Sequence, residues 1–240
     1  MLGLILFLFL FLHGSTTAQI YFLPQVPIVR QDHQVPFFSS IQFSGPIDVV
    51  YRPGTSELVS IEARSDILPY ISAVVQPTNP PSLQISLLIP GPRHWRYNVG
   101  TIRVTVTSRT LSSLEMSGTG HFMAVSPINA ENFRLTTTGS GDATISVTAN
   151  MLTVRLYGAG NAHVSGQATE ATLLADGAGT LHGENLMTVM AKATASGAGQ
   201  IYVNVRNYLS ATVVGVGSVR YRGNPQVVRS VSGVGTVTVF

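Results

Sequence analysis

The sequence predicts an all-β chain whose C-terminal half is a β-helix-like solenoid of about seven short coils. Three observations carry this. A Gly-x-Gly tripeptide recurs at a nearly constant step, apolar and polar residues alternate on both sides of it, and only 10% of the 240 residues are charged. So low a charge content leaves Thr, Ser, Asn, Gln and backbone to cover the surface, which suits exposed β-structure.

The series runs through Gly118 and Gly120, Gly139 and Gly141, Gly158 and Gly160, Gly177 and Gly179, Gly197 and Gly199, Gly215 and Gly217, and Gly233 and Gly235. Steps of 21, 19, 19, 20, 18 and 18 residues separate the first glycines. A period near 20 is that of a solenoid.

Aligned on the second glycine, the copies give inward columns. Two residues after it stand Phe122, Ala143, Ala162, Leu181, Ile201, Val219 and Val237; four after it stand Ala124, Ile145, Val164, Gly183, Val203, Tyr221 and Val239. Met116, Thr137, Leu156, Ala175, Ala195, Val213 and Val231, two before the first glycine, share their parity. The intervening positions are mostly polar and are expected to face water: His121, Asp142, Asn161, Thr180 and Gln200 in one column, Met123, Thr144, His163, His182, Tyr202 and Arg220 in the next. Such a coil holds two strands of about five residues and two corners. The glycines share the inward parity, so they are expected where a strand bends or the opposite wall comes close. A valine at Gly177 is expected to cost about 1–3 kcal/mol.

Upstream, residues 37–110 form a β-rich leading part, with strands expected at Ser40–Phe43, Ile47–Tyr51, Leu58–Glu62, Leu83–Leu88 and Thr101–Val106. Residues 91–97 read as an exposed loop. Residues 19–36, with Pro24, Pro27 and Pro36, read as a linker or extended arm. The opening Met1–Leu12 run is too short to span a membrane and reads as the core of a signal peptide over residues 1–18, cut before Gln19. A secreted chain is therefore expected, with no transmembrane span once the leader is removed. Cysteine is absent, which excludes disulfides, zinc–thiolate sites and a lipid-modified N-terminal cysteine.

A net charge of +3, spread without a dense basic stripe, argues against nucleic acid as a partner. No glycine run continues as Gly-x-Gly-x-x-Gly or meets Gly-Lys-Ser/Thr, so nucleotide binding and a nucleotide cofactor are not expected. His163 and His182 fall on adjacent coils about 5 Å apart and are weak metal candidates, since zinc needs further ligands that Thr144 and Tyr202 supply poorly. Asp142, Asp176, Glu115, Glu131, Glu170 and Glu184 are scattered, so no catalytic pair is expected. Two surfaces have the composition of a binding site: Tyr202, Arg220 and Arg222 with Arg206, and the loop carrying Trp95.

Ser117-Gly-Thr-Gly120, Gly139-Ser-Gly-Asp142, Ser196-Gly-Ala-Gly199, Tyr221-Arg-Gly-Asn-Pro225 and Ser232-Gly-Val-Gly-Thr236 together resemble the auto-transporter adhesin head GIN domain family. The likeness covers residues 37–240, and Phe38-Ser-Ser-Ile41 with Asp48-Val-Val50 resembles the family's opening. The resemblance implies a right-handed β-helix-like domain, secreted or surface-attached, without catalytic residues to carry over. The expected role is an adhesin-like or structural binding module for an extracellular glycan or a matrix or cell-surface protein. The alternative is a secreted glycan-active enzyme. The edge of the last coil leaves homo-oligomerisation open.

Overall fold

The structure, a computed structural model, describes residues 26–89 and 99–240. The expected leader, the start of the 19–36 segment and the loop with Trp95 lie outside them. No helix among the described residues is long and apolar enough to cross a membrane.

The repeats form a parallel stack. Strands β8 (Ser113–Gly118), β9 (Phe122–Ala124), β10 (Ile128–Gly139), β11 (Ala143–Gly158), β12 (Asn161–Gly177), β13 (Thr180–Gly197), β14 (Gln200–Gly215), β15 (Ser218–Arg222), β16 (Gln226–Gly233) and β17 (Thr236–Val239) follow one another along the chain. Register places Gly139 beside Gly158, Gly158 beside Gly177, Gly177 beside Gly197 and Gly197 beside Gly215. Each coil thus hydrogen-bonds to the next at the usual spacing of about 4.8 Å.

The expected two short strands per coil merge into ladders of 16 to 18 residues in β11 to β14. Pairing continues round the corner opposite the glycines and lapses only briefly, as between Ala149 and Met151 of β11. Gly166, with φ of +108°, helps β12 take that second bend.

The inward columns are buried as the alternation requires: Phe122, Ile145, Leu156, Leu181, Ile201 and Val213 are all at most 1% exposed. The last rung differs. Val231 and Val239 stand 44% and 64% exposed, because β16 and β17 have a paired neighbour on one side only. Thr137 occupies the apolar column between Met116 and Leu156 with a buried hydroxyl that has no hydrogen-bond partner. Thr137→Val should therefore raise the free energy of unfolding by about 1 kcal/mol, the desolvation cost of an unpaired buried hydroxyl. An unchanged or lower urea midpoint would contradict that assignment.

The leading part continues the stack. β2 (Ser40–Ser44) pairs in parallel with β8, and β3 (Ile47–Pro53) with β9, so Ser44-Gly45-Pro46-Ile47 forms one more corner below Ser117-Gly-Thr-Gly120. Gly45 has φ of +96°, donates its N–H to the Ser117 carbonyl at 3.0 Å and accepts from Gly120 at 3.1 Å. β6 (Ser82–Leu87) lies parallel on β2 and β7 (Ile102–Ser108) parallel on β3.

There the direction reverses. β5 (Ile71–Gln76) is antiparallel to β6, and β4 (Leu58–Arg64) is antiparallel to β7. Within the 19–36 segment, Ile28–Gln34 form β1, an edge strand antiparallel to β4 that carries an Arg30–Asp32 ion pair. Charge on an exposed edge discourages further strand addition.

Glu57, just before β4, is clamped by the Arg109 guanidinium at 2.7 and 3.1 Å, and Arg109 also lies over the Phe37 ring at 5.5 Å. The hydrogen bond from Arg109 holds the Glu57 carboxyl below its ordinary range. The folded chain therefore gives up this proton more readily than the unfolded chain, and the stabilisation is complete above the ordinary carboxylate range. It is lost as pH falls through that range towards the lowered folded value. Acid titration of the unfolding midpoint should show this loss, and Arg109→Gln should flatten it.

Candidate functional site

Two outward columns of the wall that follows the glycine corner carry the chemistry. Pairing places Arg30 opposite Glu62, Glu62 opposite Arg103 and Arg103 beside Asp48. His121 and Asp142 continue the column on β9's and β11's leading ends. From Arg30 to Asp48 charge thus alternates in sign from strand to strand, the favourable arrangement for cross-strand neighbours. The His121 backbone N–H reaches Asp48 Oδ1 at 3.3 Å, and His121 Nδ1 lies 3.7 Å from Asp142 Oδ2. Asp142 Oδ1 accepts from the Asn161 backbone N–H at 2.8 Å and from Asn161 Nδ2 at 3.0 Å.

Beside this column opens a groove of about 600 Å³, lined by Asp48, Val50, Arg52, Arg103, Thr105, His121, Met123, Val125, Asp142, Thr144 and His163. Met123 and Val125 give it an exposed apolar strip, 48% and 45% accessible. Arg52 and Arg103 are exposed, and their guanidiniums make no hydrogen bond or ion pair with the described residues. The groove therefore offers two uncommitted guanidiniums, carboxylates with acceptor capacity left over, hydroxyls and apolar carbon.

From His163 the second column continues as a ladder of rings. His163 and His182 stack with centroids 4.5 Å apart and planes 6° from parallel; His182 and Tyr202 stack at 5.6 Å and 2°. Phe240 meets Tyr202 edge-on at 5.5 Å, and the Arg220 guanidinium lies 5.7 Å from the Tyr202 ring centre. Ring faces are thus spent on one another, leaving edges for solvent. Parallel imidazoles also direct their in-plane lone pairs side by side and not to a common point, a poor geometry for sharing a metal ion. No cluster of three or more metal-ligating side chains occurs among the described residues.

Sequence reasoning grouped Tyr202, Arg220, Arg222 and Arg206. The structure brings Tyr202 and Arg220 together, ties Arg222 through its guanidinium to the Glu184 carbonyl, and sets Arg206 apart. Arg206 lies 3.9 Å from Met187 Sδ and lines a separate hollow with Asn150 and Thr169 at the opposite corner. Trp95 lies outside the described residues. Asp48, Arg52 and Arg103 were missed. The available signal was Ser44-Gly45, a degenerate copy of Ser117-Gly118, which would have aligned Asp48 with His121 and Asp142.

The family model described as "Putative auto-transporter adhesin, head GIN domain" matches residues 37–225. The chain belongs to this family. Its head GIN fold is shared with a crystal structure described as a "putative adhesin" from Bacteroides fragilis NCTC 9343, which is 25% identical with a TM-score of 0.79 over 90% of this chain and 97% of that one. A "putative lipid binding protein" from Parabacteroides distasonis ATCC 8503 is 18% identical, with a TM-score of 0.73 over 90% and 98% of the two chains. A "putative adhesin" from Parabacteroides merdae ATCC 43184 is 19% identical, with a TM-score of 0.63 over 90% and 97%. The latter two show likeness of fold alone. No curated protein matches the chain.

Proposed function

We propose that this head GIN domain chain is an exported, adhesin-like binding module that holds an extracellular ligand in the groove between Arg103, His121 and Arg52. One observation carries the reading: two exposed guanidiniums without partners among the described residues converge on one groove beside an apolar strip. Unpaired arginine next to apolar surface is the composition of contact hot spots. The Tyr202 ladder supports the groove as a stiff extension, because its rings and Arg222 are engaged in holding coils to one another.

The test is binding of the purified chain to an array of glycans and matrix proteins. A hit that weakens with salt, falls about tenfold in Arg52→Ala or Arg103→Ala and persists in Arg220→Ala supports the groove. A hit lost in Arg220→Ala and kept in both groove variants would move the site to the ladder.

Asp48 and Asp142 favour a second reading, a glycan-active enzyme, because both line the groove, two strands apart. Each already has an oxygen committed to the adjacent rung, which favours a structural and ligand-positioning role. Release of reducing ends from a bound glycan, abolished in Asp142→Asn, would establish the enzyme instead.

A further inference from the structure

We infer that the ligand of this groove is an acidic saccharide, one that carries carboxylates among its hydroxyls. The inference rests on the groove being the binding site and adds the chemical class of what it holds.

The lining asks for two kinds of partner at once. Arg52 and Arg103 present planar donor forks that match carboxylate geometry. They sit on adjacent strands, Arg103 beside Asp48 and Arg52 beside Thr107, so their Cα atoms are about 14 Å apart by strand dimensions. Along the row that starts at Arg103 the groove offers acceptors: Asp48, beside Arg103, keeps one oxygen beyond its bond to His121, and Asp142, two strands on, keeps the oxygen that lies 3.7 Å from the His121 ring nitrogen. An acceptor in a binding groove needs a ligand donor, and a sugar hydroxyl supplies one without adding negative charge.

A polyanion lacking donors fits worse. An acidic peptide would bring carboxylates against Asp48 and Asp142 and offer few side-chain hydroxyls to them. A neutral glycan would satisfy the carboxylates and leave the Arg52 guanidinium, whose strand neighbour is Thr107, without a counter-charge. A chain of uronic acids meets both demands, and its C–H faces can lie on Met123 and Val125, which are exposed in the groove.

Calorimetric titration of the purified full chain with three probes tests this: an oligo-uronate, the same oligosaccharide with its carboxyls reduced to primary alcohols, and poly-glutamate. The oligo-uronate should bind at least tenfold more tightly than either other probe, and Arg52→Ala and Arg103→Ala should each weaken it about tenfold. Asp48→Asn should weaken it less, since an amide oxygen still accepts. Unfolding midpoints of the variants, all on exposed or half-exposed positions, show whether the fold is retained.

Equal binding of the reduced probe, still lost in the arginine variants, would overturn the acidic class and leave the groove as the site. Tighter binding of poly-glutamate would overturn it in favour of an acidic protein partner. No binding of the oligo-uronate overturns the inference, while the array described above decides separately whether the groove binds anything.

Discussion

Gly177→Ala should lower the free energy of unfolding by about 3 kcal/mol or more, the sum of left-handed backbone strain and a steric clash, so the ~1–3 kcal/mol expected from sequence for valine there is too low. Gly177 has φ of +128°, and a Cβ there would lie 2.3 Å from the Gly158 carbonyl oxygen of the preceding coil. That oxygen already accepts the N–H groups of Ala178 at 2.8 Å and Gly179 at 3.0 Å. A methyl group would force the coils apart where two ladder bonds converge. The second glycine of a corner meets the same limit without the strain: a Cβ on Gly160 would stand 2.1 Å from the Gly141 oxygen. Of the two expected reasons for these glycines, a strand bend or a close opposite wall, the positive φ of Gly177 fits the bend, and the neighbour that crowds them is the preceding coil in place of the opposite wall. Ala178→Ser is the control, since the residue is exposed and Ser140 holds the equivalent place; it should stay within about 0.5 kcal/mol. Chemical denaturation followed by circular dichroism reads both, and a Gly177→Ala midpoint equal to wild type would refute the stacking account.

Phe122→Ala should cost about 3–5 kcal/mol, the usual penalty for emptying a large buried aromatic site. Phe122 is 1% exposed and lies between Phe43 and Tyr51, each 6.4 Å away with planes within 23° of parallel. It joins the leading rung to the first repeat, and the next coils place only Ala143 and Ala162 in its column, too small to fill the gap. If leading part and repeats melt as one unit, the variant should show a single transition at lower denaturant. Two separated transitions would mean that the leading part is an independent cap.

The repeat was legible because each coil needs the same two things, a chain reversal and an alternating wall, and the sequence writes both seven times over. His163, His182 and Tyr202 could be placed in one outward column for the same reason, though not the mutual stacking that consumes their faces. The leading rung was harder. Ser44-Gly45-Pro46-Ile47 keeps the positive-φ glycine and replaces the second with Ile47, whose carbonyl oxygen would stand 2.1 Å from a Cβ on Gly120 of the next coil. A search for Gly-x-Gly passes over it. The groove was hidden for a further reason: β3 touches β7 at a separation of 55 residues and β9 at 73, as Ile47 beside Ile102 and Val49 beside Phe122 show. No period near 20 brings Arg52, Arg103 and His121 together. β5 was missed because its inner positions, Ile71, Ala73 and Val75, are only half-buried and Val74 between them is 50% exposed.

Gly158 lying beside Gly177, and Gly177 beside Gly197, makes the coils interchangeable at their seams. Duplicating or excising a whole coil between two such glycines would preserve every corner and every inward column on either side. Gene rearrangement can therefore lengthen or shorten this stack in units of one coil, while the groove, which draws on no residue beyond His163, is carried along unchanged wherever the change falls after that coil.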